Sequence, residues 1–309
     1  MSGIFAVDVG GTKIRACTVS ADGAPVDVVE ERVVAADSPE PLIDQIVGLI
    51  NQVAGGAPIR GVVTTPGAVD SYTGVIAHAV NVPISGVPMA DRLAAATGSD
   101  LRVVVDTAAG AVAEFGPDGA APGCRNGVYF TVSTGIGMTM VLGGRVFSGS
   151  NHQAGEIGHV PVTVDRGAPL CACGRRGCLE AYASGTGIGN LIPVAGAGTT
   201  GRDVLDAADR GEPDARTAVE HAVDLLAMSV IGIVQLLDPA AIVLGGGMLL
   251  GGGLFGPVVD RMGSLAGQDT AALPCRLLPP RHGEHSPLAG AAALAAQTPE
   301  SALLMGWSS

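Results

Sequence analysis

His159, Cys171, Cys173 and Cys178 follow the spacing His-x11-Cys-x-Cys-x4-Cys and carry the clearest chemistry in the chain. Three thiolates and one imidazole make a closed tetrahedral site of the Cys3His type for Zn2+. Gly174 and Gly177 allow the sharp turns that so compact a spacing demands. A closed site leaves no position for water, so the metal is expected to shape its surroundings rather than to hydrolyse a substrate. Two acids share this stretch. A metal that fixes His159 also fixes Glu156-Ile157-Gly158-His159, and ligation by Cys178 fixes Glu180. Carboxylates held in this way can accept hydrogen bonds from vicinal hydroxyls, the logic of polyol recognition. Solvated surface acids are the plain alternative.

Glycine turns and strand-end acids carry the rest. In Asp8-Val9-Gly10-Gly11-Thr12-Lys13 a carboxylate precedes two glycines. Backbone N–H groups can then approach a phosphate, while Asp8 holds Mg2+ directly or through water and Lys13 adds charge. The motif is not a Walker loop, which needs Gly-x-x-x-x-Gly-Lys-Ser/Thr ahead of a helix; an ordinary hairpin turn is the alternative. Ser133-Thr134-Gly135-Ile136-Gly137 repeats the strand–turn–strand form. Two such turns across a cleft would cradle neighbouring phosphates of one nucleotide. Val103-Val104-Val105-Asp106 ends an apolar run in an acid, which is costly to bury unless it is paired or employed. Phosphoryl transfer calls for a carboxylate that accepts the attacking hydroxyl's proton. A helix N-cap is equally compatible with Asp106.

The elements that must position these residues alternate between strand and helix. Ile4–Val7 and Ile14–Val19 read as strands around Gly10-Gly11, and Gly61–Thr64 and Leu101–Val105 as further strands. Helical spacing runs over Pro41–Val53, Met89–Thr97 and Ala108–Phe115, with a turn region at Gly116–Gly123. Val128–Val132 and Met138–Leu142 read as paired strands, 215–237 as a long helix, Ala241–Leu244 as a strand and Leu288–Gln297 as a last helix. This is an α/β pattern in two lobes. The small lobe is expected at 1–106, joined by the C-terminal helix of about 288–309. The large lobe is expected at 107–287, with the zinc loop at 159–178.

Composition narrows the class. The chain has 309 residues, natural for two lobes, with 47% hydrophobic and 15% charged residues and no polar low-complexity block, so it reads as folded. A formal net charge of −12 argues against a nucleic-acid surface, and 3% aromatics leave few stacking platforms. No basic n-region opens the chain, and the apolar stretch Met228–Leu237 is broken by Asp238-Pro239, so neither leader nor membrane span is expected. A cytoplasmic location follows, in which the crowded cysteines are ligands rather than disulfides. Cys17, Cys124 and Cys275 stand apart in apolar surroundings and read as packing residues.

These motifs resemble the ROK family of sugar kinases and sugar-responsive repressors. The resemblance rests on Asp8–Lys13, Thr65-Pro66-Gly67-Ala68-Val69-Asp70, Thr134–Gly137, Gly155-Glu156-Ile157-Gly158-His159, the run Cys171 to Glu180, and Val243-Leu244-Gly245-Gly246-Gly247. It implies a two-lobed, actin-like ATPase (ribonuclease H-like) fold with the active site in the interlobe cleft, in a homodimer or homotetramer. It implies ATP with Mg2+ on Asp8, Gly10, Gly11, Thr12, Lys13, Thr134, Gly135, Gly137, Gly245, Gly246 and Gly247. It implies Asp106 as the base toward a sugar hydroxyl, normally the 6-OH, with Glu156, His159 and Glu180 on the ring and Gly67 and Asn81 on the substrate side.

The repressors carry an N-terminal helix-turn-helix, for which the phosphate hairpin near Met1 is expected to leave no room. Two departures stand out. Val105 replaces an asparagine that ordinarily binds the 3- and 4-hydroxyls, a loss of roughly 0.5–1.5 kcal/mol per hydrogen bond. Met138-Thr139 replaces two glycines. Three readings follow: a glucose kinase; a kinase for a modified hexose (a 3-amino sugar such as kanosine, or an N-acetylhexosamine) or a cyclitol; and a catalytically silent sugar-binding regulator.

Overall fold

The computed structural model describes residues 3–55, 59–80, 82–192, 199–265, 275–297 and 304–306. The chain is α/β and divides into two compact units, the first comprising 1–123, 139–154 and 285–309, the second 124–138 and 155–284.

The first unit is built on β1 (Ile4–Val9), whose apolar run is almost wholly buried. A continuous apolar strand needs cover on both faces, and helices α1 (Glu40–Ala54) and α9 (Ser286–Ala296) both pack against it. β1 pairs antiparallel with β2 (Lys13–Val19), which pairs with β3 (Pro25–Arg32). On its other edge β1 pairs parallel with β4 (Arg60–Thr65), and β4 with β8 (Asp100–Val105). The order is β3-β2-β1-β4-β8. A small antiparallel sheet, β5 (Ala68–Asp70), β6 (Val75–His78) and β7 (Val87–Pro88), leads to α2 (Met89–Thr97). The helix α3 (Asp106–Phe115) follows β8 directly.

In the second unit β12 (Ala241–Gly245) pairs parallel with β9 (Gly127–Val132) on one side and with β13 (Arg276–Leu278) on the other. β10 (Ile136–Leu142) starts in the second unit and ends in the first, where it pairs with β11 (Arg145–Phe147). Helices α4 (Leu179–Ala183), α5 (Gly185–Leu191), α6 (Gly201–Asp209), α7 (Pro213–Leu237) and α8 (Phe255–Leu265) complete it. By length and composition α7 could cross a membrane. It packs instead among α4, α5, α6 and α8, with Ala222, Leu226, Ala227 and Val230 buried, as a core helix does.

Several elements differ from the sequence expectation. β3 escapes it because most of its residues are exposed, so no apolar alternation marks the strand. β5 to β7 are too short for periodicity to show. The helix expected from Ala108 begins at Asp106. The lobe boundary expected at residue 106 does not separate α3 from the first unit, because α3 packs closely on α9. Both helices are rich in Ala and Gly, and a Cβ added at Gly290 would run into the Ala109 carbonyl, so glycine is what permits the approach. Gly290→Val is therefore expected to destabilise the fold by about 1–3 kcal/mol or more, read as a lower midpoint in chemical denaturation. An unchanged midpoint would contradict the α3–α9 packing.

Candidate functional site

Strand register dictates the surroundings of Asp8. Thr64, Asp8, Arg15 and Glu30 stand side by side across β4, β1, β2 and β3. Neighbours in register project to the same face, so four polar residues meet in one row. Thr64 Oγ1 donates to Asp8 Oδ1 at 2.7 Å, and Arg15 lies 3.9 Å from Asp8 Oδ2. Glu30 takes Arg15 Nε at 2.8 Å on one oxygen and Lys13 Nζ at 2.8 Å on the other. Lys13, expected on a phosphate, is thus held by an acid, and its charge and that of Arg15 keep the Glu30 carboxyl below its ordinary range. Asp8 is only 5% exposed, and burial pushes its carboxyl up against the pull of Thr64, Arg15 and His285. The turn itself closes with the Gly10 amide donating to the Lys13 carbonyl at 2.8 Å, placing Gly11 and Thr12 at its exposed tip.

Asp106 is the first helical residue of α3, and the extended residue before it is Val105. Its Oδ1 accepts from the Thr107 amide at 2.7 Å. The carboxylate therefore covers one N-terminal amide of the helix, where the helix dipole favours negative charge. Behind it, the fully buried Glu114 fixes the other end of α3. Its Oε2 accepts from the Ala120 amide at 3.0 Å and its Oε1 from Ser286 Oγ at 2.8 Å. Gly67 turns the chain between β4 and β5 at φ +101°, where a Cβ would strike the His78 carbonyl, so no other residue fits. Asn81 lies outside the described residues.

In the second unit the turn at Ser133–Gly137 is anchored from below. The Gly185 amide donates to the Ser133 carbonyl at 2.7 Å and the Thr186 amide to the Thr134 carbonyl at 3.2 Å. Glu180 Oε2 accepts from the Ile136 amide at 2.8 Å. The glycine turn Gly245-Gly246-Gly247 sits against the end of β9, with the Met248 amide donating to the Val132 carbonyl at 3.0 Å. The structure thus brings Thr134, Gly135 and Gly137 beside Gly245–Gly247. Glu180, expected to face a ligand only, spends one oxygen on the turn.

Within the same unit the ligand atoms of His159, Cys171, Cys173 and Cys178 all lie within 4.8 Å of one another, close enough to share one metal ion. Cys171 Sγ is 3.5 Å from His159 Nδ1, and the Cys173 and Cys178 sulfurs are 3.7 Å apart. Burial pushes the Cys171 thiol up to about 12 and raises that of Cys178. At Cys173 burial acts in the same direction, but hydrogen bonds from Arg175 outweigh it and hold the thiol below its ordinary range. The other ring nitrogen of His159, Nε2, lies 3.7 Å from Glu156 Oε2. Cys17, away from all this, has its thiol pushed up to about 11 by burial, as suits a packing residue.

Paired glycine turns and strand-end acids on this frame define a phosphotransferase of the two-lobed, actin-like ATPase class. The ROK family pattern matches residues 4–298. The glucokinase of Halalkalibacterium halodurans is 33% identical over 265 residues, 78% of this chain and 79% of that protein. The N-acetylmannosamine kinase of Shigella flexneri is 30% identical over 293 residues, 94% and 98% of the two chains. Among solved structures, the ROK family glucokinase from Streptomyces griseus, in complex with glucose and AMPPNP, superposes with a TM-score of 0.81 at 25% identity, covering 96% of this chain and 100% of that one. The chain belongs to the ROK family. It is one of that family's ATP-dependent sugar kinases and shares their fold.

Sequence reasoning missed Thr64, Arg15 and Glu30, whose roles come from strand register, and Thr107 and Glu114, which an apolar-looking helix conceals. The raised Asp8 carboxyl gives a stability test on the metal-free protein. Below about pH 4 the side chain is protonated in both folded and unfolded states. As pH rises, the unfolded chain releases the proton first, so ionisation costs the folded state stability up to its raised value and by a constant amount above it. Asp8→Asn removes that cost. It is expected to melt above the wild type at neutral pH, with the gap closing toward pH 4. A variant that melts lower at neutral pH would show that the Arg15 contact outweighs burial.

Proposed function

We propose that the enzyme transfers the terminal phosphoryl group of ATP to the 6-hydroxyl of glucose or a glucose-like hexose, with Asp106 as general base. The observation that carries this reading is the strand-end carboxylate of Asp106, held by the Thr107 amide at the start of a buried helix. A base must be fixed in direction before it can take a proton productively. The sugar O–H proton passes to Asp106 as the oxygen attacks the terminal phosphorus. The bond to the bridging oxygen breaks, and ADP leaves.

Glu156, His159 and Glu180 hold the ring hydroxyls, and Gly67 and Asn81 serve the substrate side. Glu180 Oε1 has no protein partner among the described residues and is the oxygen for a sugar hydroxyl. The glycine turns at 10–12, 134–137 and 245–247 receive the nucleotide, and Asp8 receives its Mg2+, directly or through water.

The Cys3His cluster fits zinc. Bonds of about 2.3 Å to sulfur and 2.0 Å to nitrogen put the edges of a tetrahedron near 3.5–3.8 Å, and the observed edges are 3.5 and 3.7 Å. Zinc there supplies rigidity only, since the donor set is closed. The low Cys173 thiol is the natural first ligand, and the raised thiols of Cys171 and Cys178 give up protons on binding. A cytoplasmic homodimer or homotetramer is the assembly proposed.

The second reading, a modified hexose, rests on Val105. Its side chain packs on the apolar core of the first unit and offers no hydrogen bond to a 3- or 4-hydroxyl. An ADP-release assay across glucose, mannose, N-acetylmannosamine, 3-amino-3-deoxyglucose and cyclitols decides between the two. Glucose is expected to turn over fastest; preference for a 3-substituted sugar would select the second reading, and no turnover on any would return the silent regulator.

Asp106→Asn is expected to lower kcat about 10²- to 10⁴-fold with sugar affinity retained; full turnover in that variant removes the base assignment. Metal analysis is expected to return one zinc per chain. Cys173→Ser is expected to lose both the zinc and sugar affinity, whereas unchanged sugar binding would make the metal purely architectural.

A further inference from the structure

Two threonines buried side by side in the first unit carry hydroxyls that the chemistry just described leaves unused. Thr139 Oγ1 donates to Thr107 Oγ1 at 2.9 Å. Thr139 is 4% exposed and Thr107 7%. Their surroundings are apolar: α3 is buried on every side from Thr107 to Phe115, and β10 is buried from Met138 to Val141. Hydroxyls in such a place are costly unless they satisfy each other, and small apolar residues would fill the space without that cost. The pair is therefore informative about position rather than packing.

Thr107 is gripped at two points. Its hydroxyl accepts from Thr139, and its amide donates to Asp106 Oδ1 at 2.7 Å. Any displacement of Thr107 displaces the carboxylate with it. On its far side Thr139 belongs to β10, a strand tied by its ladder to β11. The contact thus runs from β10, through Thr107, to the carboxylate.

We propose that Thr139 is a positioning residue for the reaction, fixing through Thr107 the direction in which Asp106 presents its carboxylate to the substrate hydroxyl. The proposal rests on the reading of Asp106 as general base. A base turned away from the proton it must take lowers kcat without changing how sugar or nucleotide binds. A packing role alone would lower stability and leave kcat to follow the fraction folded.

The experiment compares steady-state kinetics and melting of Thr139→Val, Thr107→Val, the double variant and Thr139→Ser, with Thr139→Val repeated in an Asp106→Asn background. Valine keeps the shape of threonine and removes the hydroxyl; serine keeps the hydroxyl. Thr139→Val is expected to lower kcat about fivefold, the effect of one hydrogen bond, with both KM values within about twofold. Thr139→Ser is expected to recover most of kcat. The double variant is expected to be no slower than the worse single one, because both remove one contact.

In the Asp106→Asn background, Thr139→Val is expected to change the residual turnover by less than about twofold. Wild-type kcat in Thr139→Val would overturn the proposal, as would additive losses in the double variant or an equal loss in the Asp106→Asn background. So would failure of Thr139→Ser to recover kcat while melting as the wild type does. The base assignment itself falls only if Asp106→Asn alone retains full turnover, which separates the two failures.

Discussion

The cost of burying a carboxylate governs much of this structure. Asp8, Asp106, Glu114 and Glu180 each sit near the end of an apolar element, buried or partly so, and each accepts from at least one uncharged donor. Asp8 takes the Thr64 hydroxyl, Asp106 the Thr107 amide, Glu114 an amide and the Ser286 hydroxyl, and Glu180 the Ile136 amide. Dipolar donors satisfy lone pairs without cancelling charge. Acids held in this way stay available to a metal ion, a hydroxyl proton or a sugar. Arg15 approaches Asp8 only loosely, at 3.9 Å, and turns its closer contact to Glu30.

The cysteine loop solves a related problem by other means. Glu156 has no strand end to fix it, and the short turn that carries it runs directly into His159. His159 faces the Cys171 thiol with one nitrogen and lies 3.7 Å from the Glu156 carboxylate with the other. A metal bound by these four residues would lend the loop rigidity through ligand geometry.

Legibility in the sequence followed range. The metal ligands lie within twenty residues of each other and could be read from spacing alone, and the glycine turns and the acid after Val103–Val105 were equally local. The strands with dense apolar runs, β1, β4, β8, β9 and β12, were found within a residue or two of their ends. What failed was either solvated or non-local. β3 has mostly exposed residues, so nothing pointed to Glu30 as the partner of Lys13 and Arg15. The Thr107–Thr139 bond spans 32 residues, and Ser286–Glu114 spans 172, separations at which spacing carries no information. Met138-Thr139 stood out as a departure from the family pattern, but its meaning needed the hydroxyl across from it. The boundary expected at residue 106 differs from the observed division because α9, on which α3 packs, is encoded far away.

That last distance has a consequence for how the protein is made. α9 packs against β1, β4 and α3, yet it is synthesised after the whole of the second unit. While it is still on the ribosome, the first unit lacks the helix that covers its central strand and closes on the helix bearing Asp106. Contacts of such long sequence separation form slowly and leave apolar surface exposed in the meantime. The first unit is therefore completed only after the whole of the second has been made, when α9 reaches β1 and α3.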